Sequence, residues 1–280
     1  MAMAQIDPVN VPVDILVVSA IPDELDYLLN MNLSWTKPVL YASGNTFRFG
    51  KIGNKLRIAA VSANSMGLTP TAITTATALL ECKPKLSLMI GTCGGRSEKG
   101  LAIGDIVFTD QAFHFQYGSS VNGKLVPEMR VETVNPQLVA IAEHLARKTQ
   151  TLTHIQNAIP LGFPGAKTVL QCKIGPMACS DLVVKDRRKF SDAVKADRKT
   201  ISVDMESYAF LKANNHQQTT WAAVIKSVTD FADENKNDDY REYAKYTAAQ
   251  FALRFIDAFF HNEIQSVPQQ SLIANHKIGT

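Results

Sequence analysis

The run Asp14-Ile15-Leu16-Val17-Val18-Ser19-Ala20 is apolar at consecutive positions, unlike a strand with one wet face. Such a strand must be covered on both sides, and that need constrains the rest of the chain. Leu86-Ser87-Leu88-Met89-Ile90 repeats the pattern and stops at Gly91-Thr92-Cys93-Gly94-Gly95, read as a turn after a buried strand. Further strand-like runs are Gly104–Asp110, Thr168–Lys173, the segment ending at Asp204, and Trp221–Ser227. Thr46–Phe49 and Leu56–Val61 flank Gly53-Asn54, a hairpin signal. Helical spacing fills the intervals. One helix opens at Pro22-Asp23-Glu24-Leu25, with proline in its first turn and acids at its positive end. Others run from Leu68 to near Cys82, Pro136 to Arg147, Asp181 to Val194, Met205 to Asn214 and Asp239 to His261. Strands alternating with helices predict an α/β fold with a central mixed, mostly parallel, twisted sheet flanked by helices on both faces. No repeat, linker or low-complexity tract interrupts the pattern, so residues 1–280 read as a single domain. Its core spans about 14–262, and the polar tail 263–280 is expected to be loosely ordered.

Composition excludes several classes. Hydrophobic residues make up 46% and charged residues 20%, as in a soluble globular protein. The net charge is only +3, and the cluster Lys185, Arg187, Arg188 and Lys189 has helical spacing with acids nearby, so no nucleic-acid partner is expected. No apolar run approaches the roughly 20 residues that span a bilayer, and Met1–Pro12 lacks the regions of a signal peptide. Cys82, Cys93, Cys172 and Cys179 form neither a CxxC pair nor a Cys/His metal spacing. No metal, no membrane association and a reducing, cytoplasmic location are therefore expected.

Chemistry enters with two segments, Ser202-Val203-Asp204-Met205-Glu206-Ser207 and Lys226-Ser227-Val228-Thr229-Asp230-Phe231-Ala232-Asp233. Each puts a carboxylate where a buried strand ends, which is where an open α/β sheet forms its ligand crevice. Two acids in one crevice suit sugar-bond chemistry: one grips ribose hydroxyls while the other protonates a leaving group.

Five segments in register extend this reading: Ala20-Ile21-Pro22-Asp23-Glu24-Leu25, Gly91–Gly95, Gly104-Asp105-Ile106-Val107, Val203-Asp204-Met205-Glu206 and Thr229–Asp233. Through them the chain, from about Asp14 to Phe260, resembles the nucleoside phosphorylase/nucleosidase (PNP/UDP phosphorylase) superfamily. Within it the resemblance is to the methylthioadenosine/S-adenosylhomocysteine nucleosidase branch. Phe231–Tyr240 with Tyr243-Ala244 is similar to a subgroup whose members include fusions to signalling or defence modules.

The resemblance implies an N-ribosyl hydrolase releasing a purine, adenine first, without metal or organic cofactor. It implies that Asp230 protonates or hydrogen-bonds purine N7, that Glu206 holds the ribose hydroxyls with Met205 against the sugar, and that Glu24 positions the attacking water. Thr92 and Lys226 match positions near that water, Lys226 standing where nucleosidases carry arginine, with Cys93 and Gly94 beside Thr92. Ile21 and Met66 match positions of an apolar pocket for the 5′ group. It also implies a homodimer or larger homo-oligomer.

Departures from the family pattern leave alternatives open. The aromatic residue that nucleosidases place on the purine is absent from Gly175-Pro176-Met177-Ala178-Cys179-Ser180-Asp181, so Met177 with Ala178, or Phe231, is expected at the base. Phosphorylases carry an arginine at the position of Met89, so water is favoured over phosphate as nucleophile. A phosphorylase and a non-catalytic nucleoside-binding relative are the rivals. At the 5′ end, Arg96, His114 and Lys236 read either as solvated residues or as a cluster that binds a nucleotide phosphate.

Overall fold

The computed structural model describes residues 12–53, 55–159, 169–217, 221–234 and 239–261. The strands of the large sheet are β1 (Ile15–Ser19), β2 (Val39–Leu40), β3 (Thr46–Ile52), β4 (Leu56–Ser62), β5 (Leu86–Gly95) and β6 (Ile106–His114). After the separate hairpin of β7 (Gly118–Val121) and β8 (Lys124–Pro127) come β9 (Val131–Thr133), β10 (Cys172–Cys179), β11 (Ser202–Asp204) and β12 (Trp221–Asp230). The helices are α1 (Asp26–Leu29), α2 (Leu68–Cys82), α3 (Pro136–Arg147), α4 (Thr149–Asn157), α5 (Arg187–Ala196), α6 (Ser207–Gln217) and α7 (Arg241–Phe260).

The sheet order is β11-β10-β6-β12-β5-β1-β4-β3-β2, with β9 on β6. Parallel ladders join β1 to β4 and β5, β5 to β12, and β10 to β6 and β11. Because β11 also pairs antiparallel with β5, five strands close a ring: β5, β11, β10, β6 and β12. The expected mixed α/β architecture is present. Every residue of β1 is buried, as its uninterrupted apolar run requires. Helix α7 packs on β12 and β5, and α2 packs on α6 and β1.

Several strands run further than the sequence predicts, three of them toward the site. β5 continues through Gly91–Gly95 because β12 and β11 supply ladder partners there, with Ser202 opposite Gly95 and Val203 opposite Gly94. β10 continues through Gly175-Pro176-Met177-Ala178, and Pro176, which has no N–H to donate, falls in the register break between Gly175 and Met177. β12 reaches Asp230, with a second break between Val228 and Asp230. The expected helix from Asp181 instead starts at Arg187, where the Asp186 carboxylate accepts the Arg188 N–H at 2.8 Å and caps it. The expected helix at Pro22 is a 3-10 turn, Pro22–Leu25, followed by the single turn α1. Lys236 and the tail 263–280 lie outside the described residues.

The turn into β6 depends on Gly104. Its φ is +86°, and a Cβ there would lie 1.9 Å from a ring carbon of fully buried Tyr243 on α7. Gly44 also has positive φ, +89°, but with nothing within 4 Å of a Cβ. Gly44→Ala should therefore cost about 1 kcal/mol, the backbone term alone. Gly104→Ala should cost about 2–4 kcal/mol because overpacking adds to that term. Urea unfolding midpoints of the two variants check this, and equal losses would contradict the packing role of Gly104.

Candidate active site

The carboxylates singled out in the sequence come together at one cavity of about 270 Å³. Glu24, Glu206 and Asp230 all line it and are 4%, 4% and 5% exposed. They arrive from the turn after β1, the end of β11 and the end of β12. β1, β5 and β12 run parallel, so Glu24 and Asp230 leave the sheet at one edge, and the antiparallel pairing of β11 with the Gly94–Gly95 end of β5 brings Glu206 to the same place.

Each carboxylate is held by the backbone around it. Glu24 reaches back with Oε2 to accept the Ala20 N–H at 3.1 Å, while Oε1 accepts the Thr92 N–H at 2.9 Å. The carboxylate lies on Gly91, where a Cβ would stand 2.5 Å from Oε1, so glycine is needed for this approach. Asp230 follows the register break in β12, and such irregularities re-aim side chains at strand ends. Its Oδ1 accepts the Ala232 N–H at 2.8 Å, closing a turn in which Ala232 takes a φ of +52°. A non-glycine residue with positive φ is locally strained, and such strain concentrates at functional sites.

Glu206 is oriented from two sides. Oε1 accepts the Gly67 N–H at 3.2 Å, and Oε2 lies 3.2 Å from Lys226 Nζ. Lys226 has no solvent exposure, and its ammonium also lies 3.4 Å from Asp204 Oδ2. Burial works against the lysine charge, but the carboxylates of Glu206, Glu24 and Asp204 outweigh it and raise the Lys226 pKa. Burial also raises the Glu206 pKa, against the lowering pull of Lys226. Asp204 in turn accepts the Ser207 N–H and hydroxyl at the start of α6 and the Cys179 thiol at 3.0 Å. Burial pushes the Cys179 thiol well above its usual range, which keeps it a donor.

Of the other expected residues, Ile21, Met66, Thr92, Cys93, Gly94 and Met205 line the same cavity. Lys226 stands behind Glu206 rather than at the surface of the cavity. Met177 and Ala178 are fully buried in β10, and the Met177 sulfur accepts the Ser202 hydroxyl at 3.0 Å; neither lines the cavity. Phe231 faces a neighbouring depression of about 190 Å³. No aromatic side chain is among the cavity-lining residues. Aliphatic groups of Val203, Leu182, Val183 and Val184 form the apolar wall instead.

Arg96 also faces the neighbouring depression, and its Nη1 donates to the carbonyls of Thr200 and Arg198 at 3.2 and 3.3 Å. His114 does not line the cavity, and burial lowers its pKa from the ordinary histidine value. The sequence reading did not identify Asp204, Lys185 or Arg241 as site residues, yet all three line the cavity. Asp204 was within sight, two residues before Glu206 and next to a helix start. Among the described residues no cluster of His, Cys, Asp and Glu is arranged to hold a metal ion, and no helix is long and apolar enough to cross a membrane.

Comparison with known proteins places this arrangement. The chain is 30% identical over 228 residues to the uncharacterized protein y4jS of Sinorhizobium fredii, covering 79% of this chain and 53% of that one. It is 24% identical over 202 residues to the ATP nucleosidase Cap17 of Escherichia coli, covering 69% and 39%. The chain thus spans about half the length, or less, of these curated relatives. Its fold matches the 5′-methylthioadenosine/S-adenosylhomocysteine nucleosidase of Neisseria meningitidis in complex with methylthio-immucillin-A, with TM-score 0.69, 22% identity and coverage of 87% and 98%. It also matches futalosine hydrolase of Helicobacter pylori, with TM-score 0.70, 19% identity and coverage of 87% and 97%. The sequence profile of the phosphorylase superfamily matches residues 14–261, from the approach to β1 to the end of α7 and across every strand that delivers a carboxylate to the cavity; the chain belongs to that superfamily.

Proposed function

We propose that this chain is an N-ribosyl hydrolase that releases a purine, adenine first, from a nucleoside or nucleotide, with water as the nucleophile. The observation that carries the reading is the convergence of Glu24, Glu206 and Asp230 on one cavity, each oriented by backbone N–H donors. The relatives named as nucleosidases support it.

The geometry supports the following roles. Glu206 accepts the ribose hydroxyls, and its charge offsets the positive charge that develops on the sugar as the C1′–N9 bond breaks. Asp230 delivers a proton to N7, so the base leaves neutral; such transfer is worth typically ~10²–10⁴-fold. A water held by Glu24 adds its oxygen to C1′ and passes a proton to the carboxylate. The two acids end with exchanged protonation states, which solvent resets. Thr92 N–H fixes the Glu24 oxygen that faces this water. A buried carboxylate at that place repels phosphate, which favours hydrolysis over phosphorolysis. The half-exposed Met66, Leu182 and Val183 at the rim are where a second copy of the chain would close the cavity, in keeping with a homo-oligomer acting in the cytoplasm.

Adenine release from adenosine and methylthioadenosine, followed with and without phosphate, tests the reading. Release independent of phosphate is expected; release that stops without phosphate indicates a phosphorylase, and none from any purine substrate indicates a binding protein. Asp230→Asn should keep the fold and lower kcat by about 10²-fold or more. A variant within threefold of the parent would remove Asp230 from the acid role.

Lys226→Met tests the charge at the centre of the site. Removing one partner of a buried ion pair costs about 3–5 kcal/mol, because the other charge stays buried and uncompensated. Losing the ammonium removes the influence that lowers the Glu206 pKa, so that pKa rises further in the variant. Protonation relieves the buried carboxylate, so the stability deficit should be greatest near pH 7 and shrink as pH falls toward 4.5, the ordinary glutamate value. Denaturant unfolding at pH 5 and pH 7 gives the comparison; a deficit that does not change with pH would contradict the role of the Lys226 charge.

A further inference from the structure

Two cationic side chains line the cavity, and the sequence reading assigned neither to it: Arg241 at the start of α7 and Lys185 in the segment before α5. Every other ionisable group on the wall that has an acidic or basic charge is a carboxylate: Glu24, Asp204, Glu206 and Asp230. Those four serve the base and ribose ends of the site and are held by backbone donors, by Lys226 or by Ser207. Arg241 is held by a different partner. Its Nη2 pairs with Asp23 at 3.3 and 3.4 Å, which anchors the guanidinium beside the Pro22–Leu25 turn, whose neighbour Ile21 also lines the cavity.

That pair does not use up the arginine. A guanidinium carries five N–H donors in a planar fork, and the buried Nε–H of Arg241 has no acceptor among the described residues. An unsatisfied buried donor costs about 1–3 kcal/mol, and a bound oxyanion would relieve it after a small turn of the fork. Lys185 is exposed, lines the same cavity and adds a second positive charge to its wall. Buried Lys245 lies 3.4 Å from the same Asp23 oxygen and also pairs with Glu242, so Asp23 is shared between two cations. With the base at Asp230 and the ribose diol at Glu206, the wall beside Ile21 is what remains for the 5′ substituent.

We propose that Arg241, assisted by Lys185, makes this a site for 5′-phosphorylated purine nucleosides, with the guanidinium donating to the 5′-phosphate oxygens. The assignment rests on the nucleosidase reading above for the placement of base and ribose. It replaces Arg96 and His114, whose side chains lie elsewhere, as the source of positive charge.

The test measures kcat/KM for base release from AMP, adenosine and methylthioadenosine, and the affinity of AMP and adenosine by calorimetry. The parent, Arg241→Gln, Arg241→Lys and Lys185→Gln are compared. The parent should favour AMP over both uncharged nucleosides. Arg241→Gln should lower kcat/KM for AMP at least tenfold more than for adenosine, Arg241→Lys should recover part of that loss, and Lys185→Gln should show a smaller selective loss. Equal losses on AMP and adenosine, or a parent preference for methylthioadenosine of tenfold or more, would overturn the proposal. If no substrate releases its base, the nucleosidase reading fails and calorimetry still decides: AMP bound more tightly than adenosine, with the difference lost in Arg241→Gln, supports the phosphate site, and equal affinities refute it. Lys185 is exposed, so its variant carries the same comparison if Arg241→Gln does not fold.

Discussion

Lys226, on β12 of the strand ring, holds an ammonium at zero solvent exposure, 3.2 Å from Glu206 and 3.4 Å from Asp204. An isolated buried ion of this kind costs several kcal/mol, so the lysine is tolerable only because the carboxylates are there, and the reverse holds equally. Much of the site depends on this compensation. Asp204 is fixed by the start of α6 and by Cys179, Lys226 is fixed by Asp204, and Glu206 takes its direction from Lys226 and Gly67. The Glu206 carboxylate is thereby held in place without being exposed to water, where its hydrogen bonds would be weaker.

The backbone makes that cluster accessible from one side. β5 and β12 run parallel with Lys226 opposite Gly91, the glycine against which Glu24 lies, and the Glu24 carboxylate helps to hold the lysine charge. Three carboxylates and one ammonium therefore share a small buried volume, and only the carboxylates line the cavity. The register break before Asp230 turns its carboxyl group to the opening. The result is a cavity whose wall carries four carboxylates, from strand ends and the turn after β1, and two cations, Arg241 and Lys185.

Much of this was legible in the sequence, for a physical reason. Consecutive burial leaves an unbroken apolar run, so β1 and the first half of β5 could be read directly, and a carboxylate that ends such a run stands out. Helix α2 was legible at both ends because Pro70 lies in its first turn and Pro84 follows Cys82. The continuation of β5 through Gly91–Gly95 was not, because glycines have no strand preference of their own and β11, distant in sequence, supplies the pairing. The same holds for β10, whose Gly175-Pro176 reads locally as a turn. Arg241 could not be found from its neighbours: what brings it to the cavity is Asp23, 218 positions away. Leu182, Val183 and Val184 have an apolar spacing compatible with a helix, and the capping carboxylate of Asp186 decides that the helix begins after them.

The central claim is the orientation of a purine ribonucleoside in this cavity, with the base toward Asp230 and the ribose diol toward Glu206. A crystal structure with a purine C-nucleoside, whose carbon glycosidic bond resists hydrolysis, tests it most directly. The account predicts the ring nitrogen equivalent to N7 within hydrogen-bond distance of the Asp230 carboxyl group and both ribose hydroxyls on Glu206. A ligand bound with its base away from Asp230, or an empty cavity at saturating ligand, would contradict it.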